Sequence, residues 1–291
     1  MFTCPICDRP LSLEGRSYRC EAGHAFDRAR EGYVDLLPVG HGRSGITGDT
    51  AAMARARQRF LARGHYGRLV DRIVALVLEH AGGRRAATPG DRGRFVVAEA
   101  GCGSGHYIGA VADALGEAAC FGFDVSRDAL RLAARARPAV RFAVNDVRHR
   151  VCLPANSTDV LLDVFAPRNV AEFARVLRPD GLLLVVVPGE RHLAELRGRL
   201  PLLGIEPEKR ERTLAQLAPQ LEPAWEEALE WEAHLAGDDV ADLVRMSPSA
   251  FHLDHAGIDT ATGDARVTLS FLLLGLTPRA DQPFRPDGRP T

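Results

Sequence analysis

A chain of 291 residues with 46% hydrophobic residues and a formal charge of -1 can bury a sizeable core, and near-neutrality excludes a protein that grips nucleic acid through a strong uniform field. No run reaches the roughly 18 uninterrupted apolar residues of a membrane helix, and the opening "MFTCPIC" lacks the basic and apolar segments of a signal peptide. A cytoplasmic location is expected, where thiols stay reduced, so clustered cysteines point to metal or catalysis rather than cross-links. Charge is uneven: residues 1–72 carry twelve arginines against eight acids, whereas 205–243 carry eleven acids against three bases.

The first predicted element is "CPICDRPLSLEGRSYRCEAGH", residues 4–24. Cys4 and Cys7 stand in Cys-x-x-Cys, and Cys20 and His24 in Cys-x-x-x-His. Each pair can form a tight turn that aims two ligands at one centre, and a short hairpin can join the turns around tetrahedral Zn(II). Four protein ligands leave no open position, so the site reads as structural. Such a metal supplies about 10 to 16 kcal/mol of apparent folding free energy in zinc-finger peptides, enough to order a module with little core of its own.

An irregular stretch follows, with a short strand expected near Gly32 to Leu37. Asp49 or Thr50 can then cap a helical segment that Gly64 divides in two. Arg55, Arg59 and Arg63 recur at four-residue steps along one face, which serves either as a solvated surface or as a phosphate-contacting one. Residues 81–93, "AGGRRAATPGDRG", read as the loop before the main domain.

In "RFVVAEAGCGSGHYIGAVADAL" an apolar strand leads through a glycine turn into an amphipathic helix. Gly101, Gly103 and Gly105 let backbone approach a ligand, and the helix start offers unpaired amides. A second strand, "CFGFDVS", ends in Asp124, where an acid can accept hydrogen bonds from the ribose hydroxyls of an adenosine cofactor. A third ends in Asn145 and Asp146, a suitable edge for adenine. "TDVLLDVFAP" is the fourth strand. The fifth, "RPDGLLLVVVPGERHL", is introduced by an Arg-Pro-Asp-Gly turn at 178–181. "AWEEALEWEAHL" and "ARVTLSFLLLGL" suggest an antiparallel edge pair. This alternation predicts a doubly wound α/β sheet with its ligand crevice at the carboxyl ends of the strands. Cys102, Cys120 and Cys152 read as small buried side chains, His106 and Tyr107 open a helix beside the cofactor, and His192 faces either pocket or solvent.

Glycine order and Asp124 suit NAD as well as S-adenosylmethionine. Glu99 decides between them, since "EAGCGSG" resembles the Glu/Asp-x-Gly-x-Gly-x-Gly motif of class I methyltransferases, whose Rossmann-like fold carries antiparallel edge strands. The zinc spacing together with "REGYVDLLP", "GHY" and this motif resembles the RlmA family of large-subunit rRNA guanine-N1 methyltransferases over essentially the whole chain. "DVFAPRN" and "HLAEL" are similar to its actinobacterial tylosin-resistance branch.

The resemblance implies S-adenosylmethionine and Zn(II) as cofactors, and 23S rRNA as partner through a hairpin loop of domain II (hairpin 35) near the macrolide site. It implies that the zinc module recognises RNA, with Cys4, Cys7, Cys20 and His24 matching the ligands. Glu99 replaces the commoner Asp but keeps the charge. The expected organisation is a zinc module at 1–37, a linker and helical segment at 38–93, a methyltransferase domain at 94–279 and a disordered tail at 280–291. Two zinc modules in a homodimer could flank one hairpin.

At the end of the fourth strand, Phe165 is the candidate to stack on an extruded guanine, Pro167 to shape the turn, and Arg168 or Asp163 to address the Watson-Crick edge. The bland reading has Asp163 capping a turn and Phe165 filling core. Two other functions compete: a small-molecule methyltransferase with a structural zinc, and a non-catalytic RNA-binding protein.

Overall fold

The structure, a computed structural model, describes residues 1–38, 48–87, 94–197, 209–247 and 263–279. Three short strands, β1 (Ser12–Glu14), β2 (Ser17–Arg19) and β3 (Ala25–Asp27), form an antiparallel sheet in that order. They are too short and too exposed to hold together by burial alone. Beyond them β4 (Val34–Asp35) leaves the small sheet and pairs parallel with β7 (Arg141–Val144) of the large one. The strand expected near residues 32–37 is thus present, as an edge strand of the main sheet.

Thr50 caps α1 (Ala51–Ala62), its hydroxyl accepting from the Met53 amide at 3.3 Å. Gly64, at φ 79°, turns the chain into α2 (Gly67–Ala87). Residues 81–87, expected in a loop, therefore continue the helix. Gly82 and Gly83 face open space, and Arg84 pairs with the buried carboxylate of Asp159, which also accepts from the Val96 amide. That anchor outweighs the low helix propensity of two glycines. The remaining loop residues, 88–93, lie outside the described ones, as does the tail expected at 280–291.

The main sheet has eight strands in the order β10-β11-β9-β8-β5-β6-β7-β4. Its members are β5 (Val96–Ala100), β6 (Ala119–Asp124), β7, β8 (Thr158–Val164), β9 (Leu177–Pro188), β10 (Leu221–Leu235) and β11 (Ala265–Pro278). From β9 to β4 all pairings are parallel, with β11 and β10 added antiparallel. Both late segments are strands, and β10 is the edge. The Arg-Pro-Asp-Gly turn at 178–181 lies inside β9: the β8 register jumps from Thr158↔Leu177 to Val160↔Leu182, so the turn is carried as a bulge.

Helices α3 (His106–Leu115) and α4 (Arg127–Ala136), with α1, α2 and α8 (Gly237–Arg245), cover one face through Phe60, Ile73, Ile108 and Leu130. On the other face, α5 (Val170–Val176) and α7 (Lys209–Leu217) share the work with the zinc module. The Phe2 ring meets Phe121 and Phe123 edge-on at 5.3 and 5.9 Å, and the Thr3 amide donates to the Cys152 carbonyl at 3.0 Å. The small module is thus docked on the sheet. A short α6 (Ala194–Arg197) follows β9.

Arg55, Arg59 and Arg63 are all exposed, as a solvated face requires, and two of them also carry ion pairs. Arg59 donates to Asp242 at 2.9 Å and Arg63 pairs with Asp239, both on α8. The acid-rich late segment folds against the arginine-rich early one. No described helix is long and apolar enough to cross a membrane.

Candidate metal centre and active site

Cys4, Cys7, Cys20 and His24 converge, with their ligand atoms within 4.8 Å of one another. Zn–S bonds of about 2.3 Å and a Zn–N bond of about 2.0 Å define a tetrahedron with S···S edges of about 3.8 Å and S···N edges of about 3.5 Å. The chain shows Cys7 Sγ to Cys20 Sγ at 3.7 Å, and His24 Nδ1 to the sulfurs of Cys4 and Cys20 at 3.5 and 3.4 Å. The edges match, so three thiolates and one imidazole close a zinc site with no open position. Burial resists ionisation of Cys20, but the His24 amide, the Cys7 side chain and the Ala22 amide outweigh it and bring the thiol to about 7.

The second site is a cavity of about 900 Å³ at the carboxyl ends of the parallel strands. Its floor is the glycine loop, where Gly101, Gly103 and Gly105 take φ of 70°, 51° and 73°, a region closed to most side chains. A Cβ on Gly101 would stand 2.5 Å from that of Ala166, whereas one on Gly103 would meet only Arg57, at 3.7 Å. The loop is pressed against the β8 end on one side and open to the cavity on the other.

Glu99 is buried, and one carboxylate oxygen accepts from the Ile108 amide at 2.9 Å, in the first turn of α3. Asp124 accepts from the Gly103 and Ser126 amides, both at 2.8 Å. It therefore braces the loop and the cap of α4 with lone pairs left for ribose hydroxyls. Burial pushes both carboxyls up, and a cation in the cavity would offset that by supporting their ionised forms. The sulfonium of S-adenosylmethionine brings that charge, and a narrow glycine bend with acids beneath it fits the cofactor.

Asn145 and Asp146 line the same cavity. The Asn145 side chain, however, is spent on Cys152, accepting from its amide and donating to its sulfur, both at 3.4 Å. Asp146 is chelated by Arg148, whose Nε and Nη2 lie 2.9 and 3.1 Å from its two oxygens. Burial works to raise Asp146, but the Arg148 hydrogen bonds win and hold it below its ordinary value. His106 also lines the cavity and is kept neutral by burial and by Arg137. The glycine loop, Glu99, His106, Asp124, Asn145 and Asp146 are thus assembled at one place.

The three residues proposed around the substrate divide. Phe165, at φ 58° and 38% exposed, and Arg168 line the cavity. Asp163 is fully buried and does not line it, standing behind two residues that do, Ala166 and Arg168. One Asp163 oxygen accepts from the Ala166 amide at 3.3 Å, and the other lies 3.2 Å from Arg168 Nε. Burial raises its carboxyl to about 7 despite Arg168.

Folding adds residues that spacing did not link to the site. The amino end of α1 lies over the cofactor bend: the Asp49 carbonyl accepts from the Ser126 hydroxyl at 2.6 Å, and Arg57 joins the Asp49 carboxylate to the Met246 carbonyl. Tyr66, from "GHY", reaches His192 across 126 positions, with Oη 3.3 Å from Nε2. His192 is buried, so the solvent-facing alternative does not hold. Phe271 packs against His192, Tyr66 and Phe165 with ring centroids 4.7, 5.0 and 5.7 Å apart.

The sequence of this chain is similar to those of known proteins. A zinc-ribbon family described as "RlmA, N-terminal" matches residues 2–45, and a "Methyltransferase domain" family matches residues 97–181. A Streptomyces fradiae 23S rRNA (guanine(748)-N(1))-methyltransferase is 40% identical over 251 residues, 86% of this chain and 86% of the relative. A Micromonospora griseorubida protein, assigned by name to the 23S rRNA (guanine-N(1)-)-methyltransferases, is 45% identical over 87% of this chain and 88% of its own. A Bacillus subtilis protein assigned the same activity is 37% identical over 68% of this chain and 67% of its own.

Proposed function

The chain belongs to the 23S rRNA (guanine-N1)-methyltransferases, and from that premise we propose that its substrate is the domain II hairpin loop, at the guanine that the S. fradiae relative's name numbers 748. One observation carries the coupling of ribbon to cavity. Within residues 146–152, Asp146 and Arg148 line the cavity, Arg150 pairs with Asp8 of the ribbon at 2.6 Å, and the Cys152 carbonyl accepts from Thr3. RNA held by the ribbon is then only a few residues from the methyl donor. A small acceptor would have no use for that connection. With rRNA as substrate the protein works in the cytoplasm.

S-adenosylmethionine supplies an activated methyl group, so the chain's task is to hold guanine N1 in line with it. Gly101, Gly103 and Gly105 would cradle the cofactor, with Asp124 on its ribose and the Asn145–Asp146 edge beside its adenine. Phe165 stacks on the extruded base, held ready by its left-handed backbone. Arg168 faces the base's polar edge while the buried Asp163 positions its guanidinium.

Reverse transcription of rRNA from cells with and without the gene tests this reading: a stop at guanine 748 that requires the gene is expected, and its presence in both strains refutes it. Growth of the two strains with a tylosin-type macrolide reads the resistance role that the resemblance implies. In purified form, Phe165→Ala should lower kcat/KM for rRNA about 10- to 100-fold, the worth of one base stack, while cofactor affinity stays within twofold.

A further inference from the structure

Tyr66 and His192 form a buried polar pair in the cavity lining, on the side of Phe165. The Ser270 amide donates to His192 Nδ1 at 3.2 Å. An N–H can only donate, so Nδ1 carries no proton. Burial and the nearby charge of Arg197 lower His192 to about 4, which keeps the ring neutral. A neutral imidazole has one N–H, and here it must be on Nε2. Nε2 therefore donates to Tyr66 Oη at 3.3 Å.

The consequence falls on the phenol. With its oxygen accepting from His192, the Tyr66 hydroxyl hydrogen must point elsewhere, and it has no other acceptor among the described residues. Burial pushes the phenol well above its ordinary range, so it stays protonated. The ring cannot swing away, since Phe60 and Phe271 hold it edge-on at 5.2 and 5.0 Å. Phe165 lies 6.4 Å from it. A fixed O–H with no acceptor among the described residues, on a ring 4% exposed, thus belongs to the cavity lining beside the stacking residue. The charged groups facing the pair are Arg57 from α1, Arg197 from α6 and Lys209 from α7, all cationic.

We propose that the Tyr66 hydroxyl donates to guanine O6 during transfer, and that His192 is its positioning residue. This rests on the guanine-N1 reading above. N1 of neutral guanine carries a proton and no free in-plane lone pair. As that proton leaves to water, negative charge spreads onto N1 and O6. The N1 pair then forms the bond to the methyl carbon, while the electrons of the broken carbon–sulfur bond stay on sulfur. A donor aimed at O6 stabilises the anion where its charge develops, and the Nε2–H of neutral His192, donating to the phenol oxygen, polarises the O–H from behind.

Nitrogen-15 NMR of histidine-labelled protein reads the geometry without turnover: His192 should show a protonated Nε2 and a bare Nδ1, and the opposite tautomer overturns the proposal. Single-turnover methyl transfer to 23S rRNA across pH 6 to 9 reads the chemistry. Tyr66→Phe, which keeps the ring, should lower the rate by about 100-fold. It should also move the acidic limb of the profile to higher pH, with cofactor and rRNA affinities within twofold. His192→Gln retains an N–H for the phenol and should stay within about fivefold of wild type, whereas His192→Leu should lose about tenfold or more. A Tyr66→Phe rate within threefold of wild type, or an unmoved limb, overturns this inference alone. No transfer by the wild-type protein overturns the rRNA reading and this inference with it.

Discussion

The ribbon and the main sheet solve opposite problems. Strands β1 to β3 are three residues each and have no buried position, whereas every residue of β8 is buried, as are five of six in β6. The sheet is held by apolar area on two faces. The ribbon is held by four ligands, and its few core side chains, Phe2, Cys4, Leu11 and Cys20, pack into the sheet's own cluster. Metal thus substitutes for core where the chain is too short to make one, and docking turns a local fold into part of a larger one.

Removing zinc breaks this comparison most. Chelation, or Cys4→Ser with Cys20→Ser, withdraws about 10 kcal/mol or more of ribbon folding free energy. Hydrogen exchange should show amides of residues 1–30 losing protection while β5, β8 and β9 keep theirs. Cofactor affinity should fall as well, because Thr3 and Arg150 tie the ribbon to the segment that carries Asn145 and Asp146. Unchanged affinity in the metal-free protein would separate the two regions energetically.

Phe2→Ala probes the joint alone. It empties a fully buried ring site shared by Phe121, Phe123 and Tyr18, and should cost about 3 to 5 kcal/mol in denaturant midpoint analysis. Bound zinc should remain at one equivalent.

Acid sharpens the sheet side. His192 is lowered to about 4 when folded, against about 6.5 unfolded. The unfolded chain therefore binds a proton first as pH falls. The stability gained by keeping His192 neutral is full above pH 6.5 and is lost between 6.5 and 4. The slope approaches about 1.4 kcal/mol per pH unit. Urea unfolding of wild type and His192→Gln over that range should differ by this slope, with wild type the steeper. Parallel curves would place the His192 charge change outside folding.

The smallest effect is expected on the outer edge. Arg191 and Glu230 pair at 2.7 Å with the arginine 69% exposed, so Glu230→Gln should change stability by about 1 kcal/mol or less, shrinking further in salt. It serves as the baseline for the other three.

Charge read along the chain foresaw an asymmetry without foreseeing its resolution. Arg59 and Arg63 could be read as an RNA-facing row because their partners, Asp239 and Asp242, are some 180 positions away. Their spacing shows which side chains share a helix face, and only packing shows what that face meets. Asp163 shows the same limit. Its place at a strand end is legible, but alternation alone leaves open which way the carboxylate faces, and the turn at Ala166 takes it inward.

Short-range geometry was written in the chain itself. Two pairs of zinc ligands, a glycine bend between strand and helix, an acid ending the next strand and the helix-strand alternation each depend on a few consecutive residues and their stereochemistry. What needed tertiary structure was every contact made across layers: Phe2 seated on the sheet, α1 laid over the cofactor bend, α2 continuing because Asp159 waits for Arg84, and Tyr66 meeting His192 and Ser270. Those depend on which buried faces fit one another. That is a property of the packed whole, and no local spacing records it.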